Sequence, residues 1–334
     1  MQSEQARARW FALLADWWLL AALVLALVMR LIAWRVAPHA ELLGDEREYY
    51  SAAAILADGR GLAFVDEGLW VRSPLYIVVL GAIFRVFGTG MGPVWVVQTA
   101  LGLATIGLGY LLARLCYERR GVARLAAGLC AAYLPFAAYA GLLLSETLFT
   151  FLLMVAFVGL VWHARRGGWV SLAIAGVALG AGALTRGSAL PFLAAVPVWA
   201  LTLTGWRDWR GAAWRTVLIV GVALAVVAPW SARNLLVYKA LIPVETTGGY
   251  NFWLGAMGGA TLGRSRRRCG RSRIRGSGSR WPGRAAGRSC ATTRRATRRR
   301  RRRRRGTSGG STSARSSDCC GATGSARCRR VGSR

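Results

Sequence analysis

Seven times between Trp17 and Trp230 the chain runs through an apolar stretch about as long as a bilayer's hydrocarbon layer is thick. The stretches are Trp17 to Val36, Pro93 to Leu115, Leu125 to Leu144, Thr147 to Ala164, Trp169 to Leu184, Ser188 to Leu203 and Thr216 to Trp230. About 20 helical residues cover the ~30 Å of hydrocarbon, and the shorter runs suit an upright helix. Backbone inside lipid must satisfy its own hydrogen bonds, so each run is expected to be a helix. The fold class is therefore an all-α polytopic membrane protein, which the 54% hydrophobic composition supports against a soluble globular domain. The first run follows only Arg7 and Arg9 and lacks a small-residue cleavage site, and reads as a retained anchor.

The loops set an orientation. Arg114, Arg119, Arg120 and Arg124 flank one, Arg165 and Arg166 the next, and Arg207, Arg210 and Arg215 a third. Basic short loops mark the cytoplasmic side. The opposite loops carry Glu41, Asp45, Glu46, Glu48, Asp58, Asp66, Glu67, Glu146 and Glu245, so the acids gather at the outer face. Pro74 to Phe87 is apolar but short and broken by Arg85. Counting it as a span would turn the arginine-rich loops outward, so it is expected to lie in the outer interface, beside a shorter helix at Tyr49 to Ala57. Trp17, Trp18, Trp34, Trp162, Trp169, Trp206, Trp209 and Trp230 fall near span ends and read as an interfacial belt. Gly176-x-x-x-Gly180 is a helix-packing signal.

The formal charge of +31 is not spread evenly. Residues up to Ala260 hold 20 Lys and Arg against 13 Asp and Glu, whereas Thr261 to Arg334 hold 25 basic residues against Asp318 alone. That tail has Leu262, Ile274, Trp281 and Val331 as its large apolar residues and an unbroken arginine run from Arg298 to Arg305. It cannot bury a core and is expected to be disordered. Its Cys269, Cys290, Cys319, Cys320 and Cys328 have neither CxxC spacing nor histidines, so no zinc site or disulfide framework is expected. An Arg-rich arm binds nucleic acid or anionic lipid in other settings. Here the abrupt change near Gly259, the absence of lysine and the Arg/Gly/Ser/Ala/Thr/Cys mixture fit a GC-rich gene read out of frame. The expected organisation is a membrane domain over 1–260, cut short, and a frameshifted tail over 261–334.

Three places could carry chemistry. Asp45 and Glu46 follow the first span, where acids are costly and need a purpose. A carboxylate beside a low-dielectric boundary holds a proton more readily, which suits a general base taking a proton from an alcohol. Asp45-x-x-Glu48 also reads as a capping box for the helix that follows, and Glu46 as a solvated loop charge. Glu146 is a lone acid between two spans at the same face and can hold a cation or substrate. Arg186, between small residues at the outer junction of two spans, can grip a lipid-linked phosphate bidentately or snorkel to head groups. Arg72 and Arg233 are weaker phosphate candidates. His39 and His163 fall at opposite faces and are given no role.

In order along the chain, these pieces resemble the GT-C superfamily of lipid-linked sugar transferases, specifically the family of protein O-mannosyltransferases and the bacterial aminoarabinose transferase, glycosyltransferase family 39. The matching segments are Asp45-Glu46, Arg72-Ser73-Pro74-Leu75-Tyr76, Phe87-Gly88, Leu144-Ser145-Glu146, Leu184-Thr185-Arg186-Gly187, Pro229 to Asn234 and Gly248 to Gly255. The resemblance implies a GT-C-like helical bundle with interfacial helices in its first outer loop, in a bacterial inner membrane with the active site on the outer face. It implies transfer of a sugar from a polyprenyl-phosphate donor to a protein, glycan or glycolipid hydroxyl. Asp45 would be the base, Glu46 its partner, Glu146 a contact to the donor or to a divalent metal cation, and Arg186 a phosphate contact. Tyr250 and Asn251, in the last segment, would touch substrate. Many relatives would have lysine where Arg186 stands, and they continue with further helices and an outer domain where the similarity here stops near Ala256. Membrane lipid is an expected partner and nucleic acid is not.

Two other classes compete. A transporter or flippase would place charges within several spans and show an internal repeat, whereas only Arg30 sits clearly inside a run and no repeat is found. A membrane-anchored binder of anionic lipid or nucleic acid would rest on the tail alone.

Overall fold

The computed structural model describes residues 16–36, 42, 44–62, 71–117, 119–248 and 255. The chain divides into units Met1–Ser265 and Arg266–Arg334, and every described residue lies in the first. The tail, and with it the expectation of disorder, lies outside the described residues, as do His39, Tyr250 and Asn251. Among the described residues all regular structure is helical: α1 (Trp17–Val36), α2 (Asp45–Ala57), α3 (Pro74–Phe87), α4 (Met91–Tyr117), α5 (Arg120–Ala132), α6 (Leu134–Gly141), α7 (Glu146–Arg166), α8 (Trp169–Thr185), α9 (Leu190–Thr204) and α10 (Trp209–Tyr238), with 3-10 turns before α9 and α10. It is an integral, multi-pass membrane architecture.

Among the described residues five helices are long and apolar enough to cross a bilayer, and α5 with α6, bent by 49° between them, passes the same test as a pair. The straight run expected over Leu125 to Leu144 is thus two helices. Pro135 enters at the first turn of α6, where its ring and missing N–H stop α5 from continuing. The seventh expected span is the 17-residue α8, about 25 Å long. α10 outruns its expected Thr216 to Trp230 at both ends. Asp208 caps its start by accepting the Gly211 N–H at 3.1 Å. At its far end Asn234, Ser231 and Trp230 donate to the carbonyls of Ile242, Pro243 and Val244, which fold back along the helix. Trp230 is therefore buried and bonded, not part of an interfacial belt, whereas Trp17, Trp169 and Trp206 stand exposed at helix ends.

Small residues govern how closely the helices approach. α1 meets α4 and α5 through Ala22, Ala26, Ala123, Ala127 and Ala131 around Ile106. α8 lies between α7 and α10. A Cβ at Gly176 would stand 2.7 Å from the Ile219 carbonyl oxygen, and one at Gly180 2.6 Å from that of Ala223, so this pair is where α8 and α10 touch backbone to backbone. Gly167 and Gly168, at φ +71° and +94°, turn the chain between α7 and α8 in a conformation that favours glycine.

The arginine-rich turns share one end of the bundle. Arg165 donates to the Cys116 carbonyl at 2.6 Å, and Arg215 Nε donates to His163 Nε2 at 3.0 Å while the other ring nitrogen meets the Gly168 carbonyl. Buried Asp16 closes the same end by accepting from Tyr110 Oη at 2.8 Å, Arg124 Nε at 3.0 Å and the Trp18 N–H at 3.1 Å. Burial alone would raise the Asp16 pKa, but the hydrogen bonds from Arg124, Tyr110 and Trp18 outweigh it and hold it below the ordinary value. Asp16→Ala is expected to cost about 2–3 kcal/mol by orphaning three donors across α1, α4 and α5. A thermal midpoint unchanged from the parent in detergent would refute that latch.

Candidate active site

The acidic end is organised by α2 and α3, which pack on each other through Tyr49, Ala52, Ala53, Tyr76, Ile77, Leu80 and Phe84. Gly81 of α3 admits Leu56 of α2 so closely that a Cβ would lie 2.8 Å from it. At 14 residues α3 is too short to span, about 21 Å against ~30 Å. α2 starts at Asp45, four residues earlier than Tyr49. Gly44 turns the chain at φ +55°, and three acids in the first turn suit the positive end of the helix dipole. The capping box does not form, because the N-cap position is Gly44 and makes no side-chain bond.

Asp45 and Glu48 instead share one face, three residues apart, and both hold Arg72. Arg72 Nη2 donates to Asp45 Oδ1 at 2.7 Å, Nη1 to Oδ2 at 3.1 Å, and Nε to Glu48 Oε2 at 2.7 Å. Burial alone would lower the Arg72 pKa, but the Asp45 carboxylate, with Tyr49 and Glu48 beside it, raises it above the ordinary value. The guanidinium is a fixed positive charge, 11% exposed, whereas Asp45 is 56% exposed. The accessible Asp45 carboxylate is oriented by a buried cation.

From Arg72 the contacts run onward. The guanidinium carbon lies 5.5 Å from the centre of the Tyr49 ring. Tyr49 Oη stands 3.5 Å from Ser145 Oγ, which stands 3.4 Å from Arg186 Nη1. Arg186 Nη1 pairs with Glu146 Oε1 at 2.5 Å. Burial raises the Tyr49 pKa, with Asp45 adding to it, while the Ser145 bond, Arg72 and Arg186 pull the other way. Glu46 points to a neighbouring backbone, its Oε1 accepting the Leu143 N–H at 2.9 Å and tying the α6–α7 connection to α2.

Asp45, Arg72, Arg186 and Glu146 are therefore joined by one ladder of contacts through Tyr49 and Ser145. Arg233 is not on it. It donates to the Leu62 carbonyl at 2.9 Å and stacks 4.8 Å from the Trp230 ring, a strut between α10 and the segment after α2. Reading the sequence missed Tyr49, Glu48 and Glu245 as members of this site. Glu245 Oε2 accepts from Ser73 Oγ at 2.8 Å and Oε1 accepts the Gly187 N–H at 3.1 Å, so one carboxylate fixes the neighbours of both Arg72 and Arg186. The signal was available: Glu245 is a lone acid beside a span, as Glu146 is.

Among the described residues no three His, Cys, Asp or Glu side chains gather as metal ligands, and one oxygen of Glu146 is already taken by Arg186. The charged groups of the ladder are the Arg72 and Arg186 guanidiniums and the Asp45 and Glu146 carboxylates.

A search of the curated proteins and one of the solved structures each returned no match. One family model does match, over residues 71–232, just under half of the chain; its description is dolichyl-phosphate-mannose-protein mannosyltransferase. The segment runs from Val71, beside Arg72, to Ala232 in α10, and so takes in Arg72, Ser145, Glu146 and Arg186.

Proposed function

We propose, from the match of residues 71–232 to the dolichyl-phosphate-mannose-protein mannosyltransferase model, that the chain is a GT-C, mannosyltransferase-like glycosyltransferase that moves a sugar from a polyprenyl-phosphate donor to an acceptor hydroxyl at the outer face of a bacterial inner membrane. The observation that carries this reading is the ladder from Asp45 through Arg72, Tyr49 and Ser145 to Arg186 and Glu146, lying at the end of the bundle opposite the arginine-rich turns. It joins an accessible carboxylate to two guanidiniums, the groups such a transfer needs.

Asp45 is the general base. A carboxylate offers about four lone-pair positions, of which Arg72 takes two, so the exposed side of Asp45 can still accept the acceptor's proton. As that O–H bond breaks, the oxygen attacks the anomeric carbon. The bond from that carbon to the phosphate oxygen breaks with its electron pair, and the lipid phosphate leaves with inverted configuration at carbon. Arg186, held by Glu146, meets the developing phosphate charge, and Arg72 keeps the base in place. Glu46 positions the α6–α7 connection and with it Ser145 and Glu146. The acceptor is a protein, glycan or glycolipid hydroxyl. Tyr250 and Asn251 are proposed as substrate contacts on the family resemblance, and the compositional break near residue 260 as the start of an out-of-frame tail that limits turnover.

Membranes holding the chain, or a version whose codons after residue 260 are read in the neighbouring frame, are expected to transfer label from a polyprenyl-phosphate sugar and not from a nucleotide sugar. Transfer from the nucleotide sugar alone would overturn the reading.

A further inference from the structure

Arg30 is the one ionisable residue within α1 before its last turn, and it is 1% exposed. Its Nη1 donates to the Ala26 carbonyl at 3.0 Å, but its buried Nε has no partner. A guanidinium held inside a span with an N–H unmet is costly, and such groups mark ligand or ion paths. Arg30 lines a cavity of about 210 Å³ between α1, α4, α6 and α7, walled also by Gly102, Tyr133, Phe136, Tyr139 and Glu146. Glu146 presents a second unmet group: Oε1 pairs with Arg186, while Oε2 is buried without a partner. Both residues line one cavity framed by aromatic rings, with the unmet Arg30 Nε and Glu146 Oε2 buried in its wall.

We propose that this cavity is a carbohydrate pocket that takes the ring of the transferred sugar, whose entry turns the Arg30 guanidinium and the Glu146 carboxylate out of the wall so that the first donates to one sugar hydroxyl and the second accepts from another. The proposal rests on the transferase reading above and adds a residue and a place to it. Size and chemistry select the occupant. The volume equals that of about seven waters at ~30 Å³ each, room for one sugar ring. A bare phosphate would find the Glu146 carboxylate against it, whereas a sugar hydroxyl donates to a carboxylate and accepts from a guanidinium, and its C–H faces suit aromatic walls. Glu146 also places the pocket correctly, because its other oxygen holds Arg186. A sugar seated here leaves its phosphate at the Arg186 side.

Gly102 is part of the device. A Cβ there would lie 2.6 Å from Arg30 Nη2 and 2.9 Å from Nε, so glycine is what lets the guanidinium sit against α4 and face the cavity. Gly102→Ala therefore displaces Arg30 without removing its charge. Arg30→Met removes a buried cation that makes one hydrogen bond, and should leave the thermal midpoint at or above that of the parent.

The test is binding, not turnover, in the full chain in nanodiscs. Tryptophan fluorescence follows titration with a short-chain prenyl-phosphate mannose and with the same prenyl phosphate lacking the sugar. The parent is expected to prefer the sugar-bearing lipid about tenfold, the worth of a hydrogen bond to a charged group. Arg30→Met and Gly102→Ala should bind the bare phosphate as the parent does and lose the preference to within about twofold. Parental preference retained in both variants would overturn the pocket, as would a matching loss of bare-phosphate affinity, which would make Arg30 a phosphate contact. Failure of the parent itself to bind either lipid would overturn the transferase reading along with it.

Discussion

Asp45→Asn is expected to lower sugar transfer by about 10²- to 10⁴-fold, the usual contribution of a positioned general base, while leaving the protein folded. The amide keeps the shape of the carboxylate, but it has one acceptor oxygen for the guanidinium in place of two and no basic site for the proton. Arg72 retains Glu48 Oε2 at 2.7 Å, so the segment before α3 stays anchored. The Asp45 side of this ion pair is more than half exposed and Glu48 still neutralises the buried guanidinium, so the loss of stability is expected to be about 1 kcal/mol. A purely structural tie would therefore show the reverse pattern, a small fall in thermal midpoint with transfer preserved, and that result would remove Asp45 from the chemistry. Glu48→Gln serves as the internal comparison. It touches the same arginine without being the base, and is expected to reduce transfer far less.

The second large effect falls on the fold. Gly180→Leu should destabilise the bundle by about 3 kcal/mol or more, at the upper end of overpacking costs. The obstacle is backbone, since the added Cβ would meet the Ala223 carbonyl oxygen at 2.6 Å and Val226 Cβ at 2.8 Å, so α8 must move away from α10 as a whole. That displacement would propagate to Arg186, the residue that follows α8, and cost activity as well. A Cβ added at Gly221, on α10, would meet nothing within 4 Å, so Gly221→Leu is the control and should be neutral. Equal melting of both variants would show that the α8–α10 contact is not as close as the structure places it.

Much of this could be read in advance because lipid narrows the choices. A run of apolar residues long enough to span has to be helical, which located α1, α4, α7, α9 and the middle of α10 from hydropathy alone. The position of α3 followed from the sign of its flanking loops, and the short length of α3 agrees with it. Other features failed for identifiable reasons. The bend at Tyr133 was masked by continuous apolarity on both sides of Pro135, and hydropathy carries no information about a missing N–H. The polar start of Ser231-Ala232-Arg233-Asn234 looked like the end of a span. It remains helical because Asn234 and Ser231 find carbonyls in a returning segment. Trp230 looked like a belt residue for the same reason.

At the site, residue types were legible and partnerships were not. Asp45, Glu146 and Arg186 stood out because charge at a membrane boundary is costly, a property each residue carries by itself. That Asp45 would be held by Arg72, Glu46 by the Leu143 N–H, and Arg72 and Arg186 flanked by Glu245 depends on contacts between segments 27 to 172 residues apart in the chain. The Asp45-x-x-Glu48 spacing illustrates the limit. Locally it satisfies a capping box, yet the helix starts one residue earlier than that box requires, with Gly44 at the N-cap, and both carboxylates turn to a guanidinium from another segment. The sequence by itself thus determined the membrane class, the helices and the acidic end, because the bilayer acts on each segment separately. Which charge meets which, and that Arg30 and Glu146 face one cavity, only the tertiary structure decided, because short-range bonds between distant segments exist only after the helices have packed.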